Sequence, residues 1–119
     1  MEKPSSILDI PLFHKIYDLY KLLHGCYPRI PKSDRYTLWQ NCENTTLIIL
    51  KALIETRHIS KDRQLQSLTT MSQNLDLLKV LIRLAKDIQI LDSKQYLIMQ
   101  EHLHEIGKMI GGWIKFASH

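Results

Sequence analysis

The chain has 119 residues, enough for one ordinary domain with a single hydrophobic core. Its composition, with 45% hydrophobic and 24% charged residues, is that of a globular protein and excludes a disordered, collagenous or disulfide-rich chain. The 16 Lys and Arg residues exceed the 12 Asp and Glu residues, and the resulting net charge of +4 permits an acidic partner without requiring one.

The cysteines and the hydropathy pattern bear on the compartment. Cys26 and Cys42 are too far apart for a metal-binding pair and too few for a disulfide framework, so we expect reduced thiols. The N-terminal stretch lacks the apolar core of a signal peptide, and no stretch approaches the roughly 20 apolar residues of a membrane span. We therefore expect a cytoplasmic protein with no membrane partner.

The positions of glycine and proline predict an all-α fold. All four prolines lie within the first 31 residues, and neither proline nor glycine occurs between Lys32 and Ile106. A β-sandwich or barrel needs turn residues about every 8–12 positions, so this distribution excludes both. We expect a single domain, residues 1–119, that folds as an antiparallel up-and-down four-helix bundle.

Apolar spacing places the first two helices. The first is expected over about residues 9–24, with Asp9 as a candidate N-cap. Its inner face is expected to comprise Ile10, Phe13, Tyr17 and Tyr20, flanked by Leu12, Ile16, Leu19 and Leu23. A stiff proline loop over residues 26–32 follows, because each proline holds the preceding residue in an extended conformation.

The second helix is expected over about residues 33–57, with Ser33 as its cap. Its inner residues are expected to be Leu38, Cys42, Thr45, Ile49, Ala52 and Thr56, with Trp39, Ile48 and Leu53 beside them.

The third and fourth helices have the clearest patterns. A heptad pattern predicts a central third helix over about residues 60–89, with the inner residues Leu68, Met71, Leu75, Leu78, Ile82 and Ala85. Asp92 and Gln95 form a candidate capping box for a fourth helix over about residues 93–115, with the inner residues Tyr96, Met99, Leu103, Ile106, Ile110 and Trp113. Both helices carry apolar residues outside the inner face, namely Leu77, Leu81, Leu84, Ile88, Leu97 and Ile98. Either the core is broad, or part of this surface meets another subunit.

Three glycines lie inside the fourth helix: Gly107, Gly111 and Gly112. Each costs a helix about 1 kcal/mol relative to alanine, so something should compensate. We expect a neighbouring backbone to approach closely at Gly107 and Gly111. The alternative is that Gly111 and Gly112 mark fraying before the end of the helix.

The side-chain patterns predict neither catalysis nor cofactor binding. Two Glu-x-x-His pairs, Glu55 with His58 and Glu101 with His104, have the spacing that di-iron bundles use. Their offset along two parallel helices is about 20 Å at 1.5 Å per residue, which is too far for a shared metal. The chain also lacks a nucleophile motif and a glycine-rich phosphate loop. We therefore expect a protein that is not an enzyme and has no catalytic residue, metal or cofactor.

Basic residues form the strongest candidate binding site. Lys79, Arg83 and Lys86 are spaced by four and then three residues, so they share one stripe of the third helix beside its inner face. Further basic residues surround the proline loop, namely Arg29, Lys32 and Arg35. From spacing alone, the stripe is either an ordinary solvated helix face or a surface that binds phosphate or a partner.

Three segments of the chain resemble a known family. They are YPRIPKSDRYTL at residues 27–38, LDLLKVLIRLAKDIQILDSKQY at residues 75–96 and HEIGKMIGGWIK at residues 104–115. These segments resemble the accessory variability determinant proteins of diversity-generating retroelements, and the related four-helix-bundle proteins encoded in intervening sequences of large-subunit ribosomal RNA. The resemblance extends over about residues 12–115.

This resemblance implies a non-catalytic bundle that assembles into a homopentameric barrel with a basic surface. It implies association with the retroelement's reverse transcriptase and template RNA, and the cDNA is a further candidate partner. The complex would support mutagenic cDNA synthesis, which diversifies a target gene. Lys79 and Arg83 occupy the positions of a basic pair that binds partners in such proteins, and Lys108 occupies the position of another cation. A second interpretation is a protein–protein interaction module of the intervening-sequence type with no nucleic-acid role.

Overall fold

In the computed structural model, which describes residues 6–118, four long helices run along a molecule of 45 × 23 × 22 Å. They are α1 (Pro11–Cys26), α2 (residues 32–56), α3 (Lys61–Asp87) and α4 (Ser93–Ala117). The second of them, α2, consists of the turn Lys32–Asp34, the π-helical segment Arg35–Trp39 and the helix Gln40–Thr56. The described residues contain no strand, so the prediction of an all-α fold with four helices is confirmed.

Neighbouring helices of the bundle run in opposite directions. Lys61, at the start of α3, lies over the ring of Phe116 at the end of α4. Lys86, near the end of α3, lies over the ring of Tyr96 at the start of α4. Both α1 and α3 pack against α2 and α4, and the connections between successive helices have only four or five residues. Because such short connections return each helix alongside the previous one, the topology is up-and-down.

The buried residues of α3 and α4 follow the heptad pattern. All six inner residues predicted for the third helix are buried in α3. In α4 the buried residues are Tyr96, Met99, Leu103, Ile106 and Ile110, whereas Trp113, also predicted for the inner face, is only half-buried. The pattern is reliable here because the inner residues recur at intervals of three and four along the whole of each helix, although both helices carry further apolar residues outside this face.

The inward face of α1 differs from the prediction. Tyr17 is 46% exposed and Tyr20 is half-buried, so the prediction that both lie on the inner face is wrong. The buried residues are Leu12, Phe13, Ile16, Leu19, Leu23 and Cys26. An aliphatic side chain loses no hydrogen bond on burial, whereas a tyrosine hydroxyl needs water or a polar partner. The helix is therefore turned so that its tyrosines reach the surface.

The π-helical segment Arg35–Trp39 brings Trp39 into the core of the bundle. The ring of Trp39 is fully buried, and its Nε1–H donates a hydrogen bond of 2.9 Å to the carbonyl oxygen of Leu23 in α1. Leu38, predicted for the inner face, is only half-buried, whereas Trp39, predicted beside that face, is fully buried. A π-helical turn holds more residues than a regular turn, so it changes which side chains point inward.

The end of α3 is formed without a glycine. Gln89 has a φ of 66°, the left-handed conformation that follows many helices. Its N–H donates to the carbonyl oxygen of Lys86, and the N–H of Ile90 donates to that of Ala85, both at 3.0 Å. These two bonds define a Schellman motif. A glutamine gives no stop signal in the sequence, and the helix ends at Asp87, two residues before the predicted end.

The helix starts are capped in different ways. A carboxylate oxygen of Asp92 accepts a hydrogen bond of 2.7 Å from the backbone N–H of Gln95, which is one half of the capping box predicted for α4, whereas the side-chain oxygen of Gln95 accepts from Cys26 Sγ at 3.9 Å. Neither α1 nor α2 has a side-chain cap, so the predictions for Asp9 and Ser33 are wrong. In α1 the first position is Pro11, whose fixed φ suits the start of a helix and whose missing N–H would have no helical partner there.

Both cysteines are reduced and buried. Burial raises the pKa of Cys42 to about 12 and also raises the pKa of Cys26. The thiolate is the reactive form of cysteine, so at neutral pH both side chains act as small core residues.

Among residues 6–118, every helix is too short or too polar for a membrane span.

Candidate functional site

The cationic stripe, defined as Lys79, Arg83 and Lys86, lies on the flank of α3 that faces α4. Lys79 Nζ lies 3.8 Å from the position that a Cβ atom would occupy on Gly107 of α4. Lys86 Nζ lies 4.8 Å from the centre of the Tyr96 ring, at the start of α4. The structure therefore brings the three cations together along the seam between the two helices.

Arg83 already has an anionic partner within the stripe. Its Nε donates to both carboxylate oxygens of Asp87, at 3.1 and 3.3 Å. The hydrogen bond to Asp87, followed by one to Tyr96, raises the pKa of Arg83, so the guanidinium remains charged. The side chains of Arg83 and Asp87 are 62% and 54% exposed, and ion pairs exposed to this extent are weak. A phosphate or carboxylate of a partner can therefore replace Asp87 at low cost.

The two lysines of the stripe have different surroundings. Lys86 is half-buried and makes a cation–π contact with Tyr96. Lys79 is exposed and borders a shallow groove that is also lined by Glu101 and Glu105 of α4. The surface around the stripe therefore carries carboxylates as well as cations, and the local positive charge is moderate.

The contact of Lys79 with Gly107 also bears on the glycines of α4. A Cβ atom on Gly107 would lie 3.4 Å from Leu75 Cδ2, which is ordinary van der Waals distance. A Cβ atom on Gly111 or Gly112 would have no neighbouring atom within 4 Å. The prediction of close backbone packing at Gly107 and Gly111 is therefore wrong. The helix α4 continues through Gly111 and Gly112 to Ala117, so neither glycine ends it.

Lys108 lies apart from the seam. It follows Gly107 in α4, and its side chain is exposed on the outer surface of that helix. The structure therefore places Lys108 close in sequence to the contact made by Lys79, but on a different face of α4. A ligand that reaches both must extend from the seam onto the outside of α4.

The basic residues of the proline loop form a second group at one end of the bundle. Arg35 donates from Nε to the carbonyl oxygen of Ile30 at 2.8 Å and from Nη2 to that of Pro28 at 3.2 Å. Its guanidinium carbon lies 5.0 Å from the centre of the Tyr27 ring. These contacts fix the loop. Lys32 is exposed beside it.

Arg29 lies between the two groups of cations. It is exposed and lines a cleft together with Lys86, Asp87 and Asp92. This cleft lies at the end of the bundle where α1 and α3 finish and α4 begins. Of the loop cations, Arg29 is thus the one that the structure brings near the cationic stripe.

A row of aromatic side chains that the sequence did not predict lies beside the proline loop. This aromatic row consists of Tyr20, His24, Tyr27 and Tyr36. The rings of Tyr20 and His24 are 6.2 Å apart with 9° between their planes, and those of His24 and Tyr27 are 6.3 Å apart with 22° between them. A hydrogen bond with Tyr36 raises the pKa of Tyr27. Intervals of four and three residues along α1 could have revealed the first three members.

The two Glu-x-x-His pairs lie on the surface. Glu55, His58, Glu101 and His104 are all exposed. Within residues 6–118, no group of three or more His, Cys, Asp or Glu side chains is arranged to hold a metal ion. These four side chains are solvated charges and imidazoles of the helix surfaces.

Comparison with known proteins gives one family. Residues 12–117 match the model of a family described as bAvd-like. No curated protein matches the chain. The matched stretch extends from the first turn of α1 to the last residue of α4 and includes both groups of cations and the aromatic row. Because the match covers nearly the whole sequence, the chain belongs to the bAvd-like family.

Proposed function

We propose that this protein is a non-catalytic accessory protein that binds a retroelement reverse transcriptase and its template RNA in support of mutagenic cDNA synthesis. Membership of the bAvd-like family supports an accessory role. The observation that carries the choice of partner is the cationic stripe. Three basic side chains along one flank of α3 suit the phosphates of a nucleic acid or an acidic surface of the polymerase.

A protein–protein interaction module with no nucleic-acid role is the second candidate function. It is favoured by an apolar stripe on α3, defined as Leu77, Val80, Leu84 and Ile88, whose exposed fractions are 47%, 65%, 45% and 48%. The intervals of three, four and four residues place these side chains on one face, on the other flank of α3 from the cationic stripe. A continuous exposed apolar face of this kind is typical of a protein contact.

We propose that another copy of the chain covers this apolar stripe in a homopentamer. Light scattering at micromolar concentration is expected to give about five times the 14.0 kDa mass of one chain. Val80→Glu should reduce this mass without loss of helicity, because it places a charge in the contact but leaves the core intact. The matched control is Tyr17→Glu, which changes an exposed residue of α1. A mass of one chain for the parent protein would contradict the proposal.

Salt dependence distinguishes the two candidate functions. Binding of a labelled template RNA, alone and with its polymerase, is expected to weaken steeply between about 50 and 200 mM salt. Each phosphate neutralised on a single strand adds about 0.7 to the slope of log K against log salt. Fluorescence anisotropy measures this slope. Association with the polymerase that needs no RNA and hardly changes with salt would favour the interaction module.

A further inference from the structure

We propose that the aromatic row, together with the exposed cations Arg29 and Lys32 of the proline loop, binds single-stranded RNA by stacking on its bases. This inference rests on the proposed function, since it assigns to the RNA a second contact surface besides the cationic stripe. The two surfaces differ in chemistry. The cationic stripe offers charge for phosphates, whereas the aromatic row also offers ring faces for bases.

The aromatic row is fixed at one side and open at the other. Tyr20 and Tyr27 are half-buried, so the protein sets the position of their rings. The side chain of His24 is 69% exposed, and Tyr36 is 72% exposed. Tyr36 projects beside Tyr27 as a large ring whose surface is mostly uncovered. A base can stack on such a ring with little sequence preference, because every base has a π face.

The charges around the aromatic row are arranged so that the cations face outward. Arg29 and Lys32 are exposed. The nearby carboxylate of Glu43 lies 3.2 Å from His24 Nδ1, and its side chain is only 13% exposed. Asp34 is half-buried. A phosphate backbone beside the row therefore meets the exposed Arg29 and Lys32, while the Glu43 carboxylate is largely covered and that of Asp34 is covered in part.

Arg29 lies between the aromatic row and the cationic stripe, so one RNA strand can contact both surfaces. The row lies on α1 and the start of α2, and the stripe lies in the seam between α3 and α4, on another side of the bundle. At the end of the bundle, Arg29 lines the same cleft as Lys86. A single strand whose bases stack on Tyr36 can thus continue past Arg29 to Lys86, through a cleft that also holds the exposed carboxylates of Asp87 and Asp92.

The chemistry of the row favours RNA over a protein partner. Three phenol hydroxyls and an imidazole line it, so a partner must offer polar edges as well as flat faces. Bases offer both. Tyr27 and Tyr36 are hydrogen-bonded to each other, and His24 Nδ1 to Glu43, so the row offers a base its exposed ring faces together with polar edges that are already ordered.

The test compares two oligonucleotides on the full-length protein. One is a labelled uridine RNA of about twelve nucleotides, and the other is an abasic ribose-phosphate chain of the same length and charge. Anisotropy is expected to show that the parent protein binds the uridine RNA about fivefold or more tightly than the abasic chain, from the contribution of a stacked base. Tyr36→Ala should remove this preference, and Tyr36→Phe, which keeps the ring, should retain it.

The matched control is Phe116→Ala at the opposite end of the bundle. Phe116 is 74% exposed and also has a lysine over its ring, Lys61 at 5.2 Å, so it shares the exposure and the cation contact but not the row. This variant should bind both oligonucleotides as the parent does. Lys32→Ala should lower the salt slope by about 0.7, whereas Tyr36→Ala should leave the slope unchanged.

Three results would overturn the inference. The first is equal binding of uridine and abasic chains by the parent protein. The second is an equal effect of the Tyr36 and Phe116 variants. The third is a changed oligomer mass for Tyr36→Ala with unchanged RNA binding, which would assign the row to a contact between copies. Association of the reverse transcriptase with the protein is measured separately, so a failure of the proposed function can be distinguished from a failure here.

Discussion

Replacing Trp39 by alanine is expected to lower the free energy of unfolding by about 3–5 kcal/mol, the usual range for deletion of a large buried aromatic side chain. Trp39 is fully buried, and its indole N–H is bonded to the carbonyl oxygen of Leu23, so it joins α2 to α1. Alanine leaves a cavity and leaves a buried carbonyl oxygen without its donor. Urea unfolding followed by far-UV circular dichroism measures the loss.

Two further variants separate the causes of this loss. Trp39→Phe keeps most of the ring but removes the N–H donor, so its cost is expected to be smaller, about 1–3 kcal/mol. Trp113→Ala is the comparison for position, because Trp113 is only half-buried in α4. It should lose less stability than Trp39→Ala. Equal losses at the two tryptophans would show that Trp39 is not the main aromatic anchor.

Reversing the charge of Lys79 and Arg83 together is expected to weaken association with the reverse transcriptase and RNA by about two orders of magnitude or more. Two glutamates in place of two cations convert attraction into repulsion, and like charges across an interface cost several kcal/mol. Both side chains are exposed, so helicity and oligomer mass should stay unchanged. Copurification and RNA anisotropy over a salt titration measure the effect.

The control for this double variant is charge reversal at Lys51 and Lys61, which are also exposed. It removes the same amount of positive charge from α2 and the start of α3, away from the cationic stripe. A specific stripe predicts a much smaller effect for the control. If the Lys79 and Arg83 variant binds polymerase and RNA like the parent at every salt concentration, the stripe is an ordinary solvated face.

Much of the fold could be predicted because the inner residues of α3 and α4 keep a heptad spacing over the whole length of each helix. The same reasoning fails for α1, where Tyr17 and Tyr20 fit a spacing of three and four as well as the aliphatic residues do, so more than one inward face fits the pattern. There the need of the Tyr17 hydroxyl for water decides the orientation. The spacing predicts Trp39 beside the inner face rather than on it, because a π-helical turn leaves no periodic signal in the sequence.

The candidate site could be predicted only in part, for a related reason. Helical spacing is local, so it placed Lys79, Arg83 and Lys86 on one flank correctly. The contact of Lys86 with Tyr96 depends on the connection between α3 and α4. There Gln89 takes the left-handed conformation, which a glutamine in the sequence does not predict. Similarly, Tyr36 joins the aromatic row through the fold of the proline loop, which brings together residues that no helical interval relates.

The restraint of side chains in the cationic stripe has a thermodynamic consequence. Lys86 is half-buried and lies over the ring of Tyr96 before any ligand is present. Ordering a long side chain on binding costs about 0.5–1.5 kcal/mol in conformational entropy, and Lys86 meets part of this cost in the free protein. Lys79 and Arg83 are exposed, and the ion pair of Arg83 with Asp87 is weak. The entropy lost when a phosphate binds the stripe is therefore concentrated at Lys79 and Arg83.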